Sequence, residues 1–538
     1  RSTQSRSSAA SDVYKRQVFG YVFTLNAFAA FIYAFHLKEN TQHVAALLYI
    51  GSSLGVVFSG DLLSLYLFWE VMAVSSTVLI LARRTERALN AGLRYILVHF
   101  FGGLCLLAGL VFYVSQTGSV AFDAMAETNL ATCLILLGFL VNAAAPPFSA
   151  WLSDAYPEST VTGGVILSAY TTKTAVYALV RGYPGWEILI VVGCVMAIYG
   201  IVYALNENDI RRILAYSIIN QLGFKVAGVG IGTAMAVNGA IAHSFCGILY
   251  NSLVWMSAGA VLAMTGKSKC TELGGLHKTM PWTMFFGIVG VLSISAFPLT
   301  SGFISKTLII EGALKEHMGW VWLLLEIASA GAFLLAGLRF PYLVFFSEDR
   351  GLRPAEADKS MLTAMAFLSL LCVLLGVHPE MLYGILPFEV TYQPYTVHHV
   401  VGHLQILVFS ALAFVLLIRT LRGTDTISLD TDWFYRRGGR MFYEVVDRGF
   451  NGINDKAERV FAVRLPEFLG RVSRDLPWRL SSFLLVPVWV LRGMGGERLR
   501  ARTESLKRSL EKGASPVGIG AAAATAFLLL FFILTGLL

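Results

Sequence analysis

Charge is scarce in this sequence. Asp, Glu, Lys and Arg make up 14% of its 538 residues, against about 25% in a soluble domain. That shortfall excludes an ordinary water-soluble globule. Cysteine is sparser still: Cys105, Cys133, Cys194, Cys246, Cys270 and Cys372 are scattered, five of them inside apolar runs, with no CxxC or Cys/His spacing. A metal or iron–sulfur site therefore has no support, and the cysteines read as packing residues. The chain also lacks a dinucleotide fingerprint and the ligand spacing of a haem or cluster, so no cofactor is expected. Its net charge is +8, yet the basic residues sit in short loops and near the C-terminus. They form no patterned face, and no nucleic-acid partner is indicated.

What fills the space is apolar: 56% of the residues are hydrophobic and the mean hydropathy is +0.65. Runs long enough to cross a bilayer, which takes roughly 20 apolar residues, lie at Val18–Phe35, Val44–Ser59, Leu62–Ala82, Tyr95–Val114, Leu130–Ala150, Val161–Val180 and Ile188–Leu205. They continue at Ile213–Ile231, Ala236–Met264, Met284–Phe297, Trp320–Phe346, Met361–Leu386, Ile406–Ile418 and Gly518–Leu538. The pattern predicts an all-α, polytopic transmembrane bundle of about fourteen helices. Residues 18–346 read as its core, 347–428 as additional membrane helices, 429–515 as a basic amphipathic cytoplasmic or interfacial segment, and 516–538 as a last membrane helix. The leader RSTQSRSSAASDVYKRQ (residues 1–17) has no initiator Met and joins abruptly to Val18. It reads as non-native, on an N-terminally truncated chain, and is expected to stand outside the fold.

The loops carry an orientation signal. Arg83–Arg94, Asn206–Arg212 and Gly266–Lys278 are basic, whereas Gln116–Asn129 carries acids only. The three basic loops fall on one side of the predicted bundle, and the positive-inside rule puts that side in the cytoplasm. A multi-pass inner (plasma) membrane protein is expected.

Within LFWEVMAVSSTVLI, Glu70 is the only charge between Leu62 and Ala82. An acid at that depth costs several kcal/mol unless it is partnered, and is usually functional. Otherwise it is a carboxyl kept neutral by burial. Lys173, Lys225, His243 and Arg339 also lie in spans, and Asn142 and Asn251 are uncharged polar residues at similar depth. Lys225 and Arg339 could snorkel to an interface, a reading that fits mid-span Lys173 less well. His243, Gly247 and Asn251 are spaced by four and share a helix face. Pro146-Pro147 interrupts one run, and LTSGFISK after Pro298, with Gly302 and Lys306, interrupts another. Broken helices at membrane depth occur where backbone is buried in protein or lines a water-filled cavity. Acid, lysine, imidazole and guanidinium in spans beside such breaks suit a proton or ion relay.

FWEVMAVSS, PFSAWLSDAYPE, RRILAYSIINQLGF, the His243 helix and FPLTSGFISK together resemble the proton-translocating antiporter-like membrane subunits. These include the D-type component of multisubunit Na+/H+ (Mrp-type) antiporters and the large proton-pumping subunits of respiratory complex I and membrane-bound hydrogenases. The tail WFYRRGGRMFYEVVDRGFNGIN resembles the D-type branch. The resemblance implies two inverted five-helix repeats, each with a broken helix, joined by a polar axis at the midplane. It implies a relay of Glu70, Lys173, His243 and Arg339, the last placed on the second broken helix; Lys225, at a position expected to be apolar, joins the relay as a displaced charge. It also implies partners: other subunits of the complex, protons, Na+ and the lipid bilayer.

Where such subunits carry channel lysines, this chain has Asn142 and, on the central helix, Gly247 and Asn251. Two readings follow. One is a proton-conducting subunit of a cation/proton antiporter or of a redox-coupled pump such as an NADH:quinone oxidoreductase- or hydrogenase-type translocase. The other is a non-conducting structural subunit of such a complex. With two N-terminal helices missing, a lipid-facing groove is expected along Val18–Phe35.

Overall fold

The computed structural model describes residues 2–418, 421, 430–513, 525 and 527–532. Among them the regular structure is helical, with two isolated bridges, Asp61 to Ala121 and Asp209 to Lys269. The contacts divide the chain into two units, residues 1–433 and 434–538.

The first unit opens with α1 (Ser2–Tyr33), which runs unbroken across the leader boundary expected at residue 17. Asp12 holds Arg16 at 2.6 Å and lies 3.4 Å from Arg181. One face of α1, including Val18, Phe19, Val22 and Phe23, is fully buried, and the helix packs on the chain's centre. Its other face, with Tyr21 and Phe28, is exposed, as is Phe35 just beyond its end. An open apolar groove of about 670 Å³ lies between the next two helices, lined by Val44, Leu48, Val71 and Val74.

Those helices begin a repeat. It consists of α2 (Asn40–Phe58), α3 (Leu62–Leu81), α4 (Glu86–Thr117), the broken span α5 (Leu130–Asn142) and α6 (Ala150–Ala155), and the broken span α7 (Val161–Leu167) and α8 (Thr171–Gly182). The second copy is α9 (Ile188–Asn206), α10 (Ile210–Ile231), α11 (Ala234–Thr265), the broken span α12 (Pro281–Ile294) and α13 (Ser301–Lys315), and α14 (Gly319–Ala332). α2 and α9 are both 19 residues long, and α4 and α11 both 32. The caps repeat as well: Asp61 and Asp209 open α3 and α10, Thr85 and Thr233 open α4 and α11, and Gly118 and Gly266 close them in the left-handed conformation. Each copy makes five crossings. An odd number returns the chain to the opposite side, so the second copy is inverted.

The two main breaks share one backbone device. After α5, Ala144 turns to φ 57°, and after α12, Ala296 does the same. In each case the amide one residue further, Ala145 or Phe297, bonds back to Leu140 or Leu292 at 3.0 Å. These breaks are one reason why the apolar runs outnumber the helices long enough to span. Among the described residues nine helices qualify, and Leu130–Asn142 and Pro281–Ile294 are shorter apolar segments.

α10 and α11 sit at the centre, buried on all sides. α9 meets α10 closely because small residues line the crossing: a Cβ on Gly200 would lie 2.6 Å from the Tyr216 carbonyl, and one on Gly193 would lie 2.6 Å from that of Gly223. Without a hydrophobic force between helices in lipid, such close approach holds the pair. Beyond α14 the helix continues as π-turns at Phe333–Arg339 and Tyr342–Phe346. It is followed by α15 (Lys359–Val377), the short α16 (Glu380–Tyr383) and α17 (Val397–Leu417).

The three basic loops do meet on one face. Arg83 donates to the Pro157 carbonyl at 2.8 Å and reaches Glu158 at 3.2 Å. Arg211 bonds the carbonyls of Pro157 and Ser159, both at 2.9 Å, and the amide of Ile210 bonds Ser268 at 2.9 Å. The acidic loop lies at the other end of the same helices, its Met125 amide bonding the Gly182 carbonyl at 2.7 Å.

The second unit contains the helices α20 (Leu465–Leu491) and α21 (Gly496–Gly513), reached through α18 (Asp432–Val446) and α19 (Gly452–Ala457). α20 shows Phe483, Leu484 and Leu491 at its surface, and α21 is strongly basic. Most of the membrane helix expected at 516–538 lies outside the described residues. The α9/α10 crossing gives a direct test of the core. Gly223→Val should force the helices apart and lower stability by about 1–3 kcal/mol, read as a lower melting temperature of the purified chain in detergent.

Candidate functional site

A row of polar side chains runs through the middle of both repeats, and the helix breaks position most of it. A break at membrane depth leaves carbonyls without helical partners. Lys306, on α13, donates from Nζ to the carbonyl of Ile294, the last residue of α12, at 2.9 Å. Its ammonium also sits 5.0 Å above the Phe224 ring. Lys173, in the first turn of α8, donates to the carbonyl of Ser168 in the gap after α7. Both lysines are fully buried, so neither snorkels.

Between them lies the centre of the row. His243, on α11, faces Ser305 Oγ at 3.1 Å through Nδ1 and Gln221 Oε1 at 3.0 Å through Nε2, with the Tyr250 hydroxyl at 3.3 Å. Lys225, on α10, is fully buried and its Nζ has no hydrogen-bond partner. A Cβ on Gly247 would lie 2.8 Å from that nitrogen. The amine of Lys225 thus occupies the space that a side chain at 247 would fill. Lys173, Lys225 and Lys306 all act electrostatically on His243. Asn251, on the same face of α11, is buried with its Nδ2 unpartnered.

Glu70 holds the other end of the row. It is half-buried on α3, and its Oε1 is buried without a hydrogen-bond partner. The oxygen sits where a Cβ on Gly103 of α4 would have to go. The carboxyl also borders the apolar groove between α2 and α3. Asn142, the last residue of α5, does not meet Glu70 directly. Its Oδ1 pairs with His99 Nδ1 at 2.9 Å. His99 is 1% exposed, and its ring lies between Tyr95 and Trp151 at centroid distances of 4.1 and 4.6 Å.

At the far end, beyond Lys306, a cavity of about 320 Å³ is lined by Thr307, Glu311, Glu326, His398, His399 and His403. Glu311 and His399 approach to 3.6 Å, while Glu326 Oε2 and His403 Nε2 are buried without partners.

The structure therefore brings together Lys173, Lys225, His243 and Lys306, and sets Glu70 and Asn142 against α4. It does not bring in Arg339. That residue is on the π-turn after α14, not on the second broken helix, and its guanidinium donates to the carbonyls of Leu421, Ala204 and Glu207 at 2.8, 2.8 and 2.9 Å. The second break is the gap between α12 and α13, where Pro298 lies, with Gly302 in the first turn of α13; Pro146 and Pro147 lie in the first. His99, Gln221, Tyr250, Ser305, Glu326 and His403 were not singled out by sequence. Gln221 lies on a predicted span four residues before Lys225, and that spacing was the available signal. Gly103→Ala should drive the Glu70 carboxyl towards the α2/α3 groove. Misplacing a reacting group by about 1 Å can cost on the order of a hundredfold, so any proton flux through the chain should fall at least tenfold in reconstituted vesicles.

Residues 59–331 match the family described as NADH:quinone oxidoreductase/Mrp antiporter, transmembrane. The D component of the Na(+)/H(+) antiporter of Alkalihalophilus pseudofirmus is 30% identical over 284 residues, covering 49% of this chain and 57% of that protein. Hydrogenase-4 component B of Escherichia coli is 25% identical over 370 residues, covering 61% and 55%. The chain thus spans a little over half the length of these two relatives. Among solved structures, a chain of the Mrp complex from Dietzia sp. superposes with a TM-score of 0.66 at 20% identity, over 73% of this chain and 85% of that one. A chain of the membrane-bound sulfane sulfur reductase, an archaeal respiratory membrane complex, gives 0.67 at 22% identity, over 83% and 84%. Both show a shared fold.

Proposed function

This chain is a member of the NADH:quinone oxidoreductase/Mrp antiporter transmembrane family, and on that footing we propose that it is a proton-conducting subunit of a multisubunit cation/proton antiporter or redox-coupled pump. The reading places it in the plasma membrane, with other subunits of the complex as its partners and protons, exchanged against Na+, as its cargo. One observation carries it: Lys173, Lys225, His243 and Lys306 are all fully buried, on α8, α10, α11 and α13, with α10 and α11 packed against each other and against both α8 and α13. Burying ionisable side chains in an apolar bundle is costly. Among the described residues only Lys306 of these four has a carboxylate, that of Glu326, acting on it, so the row fits a purely structural core poorly. Groups that exchange protons need this arrangement, because a proton on one disfavours a proton on the next.

A structural role is the second reading, favoured by Asn142 and Asn251, which carry no exchangeable charge. The two readings separate in vesicles carrying the whole complex. Glu70→Gln should reduce flux to background, and Asn142→Lys combined with Asn251→Lys should increase it, as measured by quenching of a pH-sensitive dye under an imposed ion gradient. Unchanged flux in both would leave the chain a scaffold.

A further inference from the structure

The first repeat has an acid, Glu70, and a long gap between it and Lys173, with an amide at Asn142 where a titrating group would be useful. We propose that His99 fills that gap as a proton acceptor and donor, with Asn142 acting as the positioning residue that fixes its tautomer. The proposal rests on the conduction reading above and names a residue that the reading does not use.

Three observations carry it. First, with Asn142 Oδ1 set 2.9 Å from Nδ1, the amide oxygen accepts and we assign the ring proton to Nδ1. The lone pair is then on Nε2, and Nε2 is buried with no partner. A histidine kept for structure alone would normally satisfy both ring nitrogens. Second, His99 and Gly103 are one turn apart on α4, so they share a face. Gly103 is the residue against which Glu70 Oε1 rests, and a Cβ on neighbouring Gly102 would be 3.6 Å from Asn142 Oδ1. The two adjacent glycines let the acid and the amide both close on the face of α4 that carries the imidazole a turn away. Third, the ring is held in place. Tyr95 lies against it and is itself tied to Ser76 of α3 at 2.9 Å, while Trp151 covers it and donates to the Val141 carbonyl at 2.9 Å.

The step needs no co-reactant. A proton leaves the Glu70 carboxyl as its O–H bond breaks, and Nε2 forms an N–H bond, directly or through a water. The products are a carboxylate and an imidazolium. When Nε2 releases that proton towards the interior, the neutral ring returns with Nδ1–H still on Asn142.

The test uses the whole complex in vesicles. His99→Gln keeps an amide in the pocket but cannot carry a proton. Flux should fall at least tenfold, close to the level of Glu70→Gln, while the complex assembles and melts as before. Adding Asn142→Lys to His99→Gln should recover at least half of the flux, since an amine then stands beside the same site; a packing defect would not be rescued this way. If His99→Gln conducts normally while Glu70→Gln does not, His99 is structural and this proposal falls with the conduction reading intact. If both conduct normally, the reading itself falls. Should His99→Gln not assemble, nitrogen NMR of the ring-labelled wild-type complex decides. Protonated Nδ1 with bare Nε2 supports the proposal, and the opposite tautomer overturns it.

Discussion

A lysine amine bonded to a carbonyl that a helix has given up is the contact on which the polar core depends. In lipid a chain must satisfy its backbone internally, so a helix cannot simply stop at the midplane. Here it stops, and a buried lysine takes the orphaned carbonyl: Lys306 takes Ile294 and Lys173 takes Ser168. Each partner answers the other's need. The break would cost an unsatisfied carbonyl without the amine, and the amine would have no acceptor in an apolar bundle without the break. The result is a titrating group fixed deep inside protein without a salt bridge to neutralise it.

Doubling follows from the inverted repeat. Because each copy crosses an odd number of times, matching breaks come at the midplane from opposite sides, and α10 and α11 are enclosed between them. The copies share caps and helix lengths but not polar groups. At the first break the polar residue is Asn142, bonded to His99; at the second the break's carbonyl is bonded to Lys306. The backbone device has been kept in both copies while the chemistry mounted on it has diverged.

Much of this was legible in the sequence. Apolar length and loop charge gave the spans and the common side of the basic loops, and Pro146, Pro147 and Pro298 marked both main breaks. Glu70, Lys173 and His243 stood out because a charge or imidazole in an apolar run needs a reason. Arg339 stood out equally, and for it the reason is different: a guanidinium has several donors, and here three of its nitrogens bond carbonyls at the ends of other segments. Burial alone could not separate the two cases. His99 escaped notice because it lies in HFFGGLCLL, a plain membrane run near its first charged turn, where a histidine can face water. Only the approach of α5 shows that it is enclosed. For α1 the limit is related: an apolar run announces a buried or lipid-facing helix, but not which of its faces is covered.

Gly247 shows most clearly what a residue-by-residue reading misses. Taken alone, a glycine on the central helix looks like the loss of a polar group. Beside Lys225 it is the space that an amine from the neighbouring helix fills. The structure puts a positive group on α10 into the space that the central helix leaves open at Gly247. α10, which carries Lys225, packs against α8, with Lys173, and against α13, with Lys306. In a medium of low dielectric couplings between charges are strong over several ångströms, so a proton gained at one station changes the affinity of the next whichever helix supplies it. On the conduction reading, such a row needs its groups within reach of one another, whichever helix carries each.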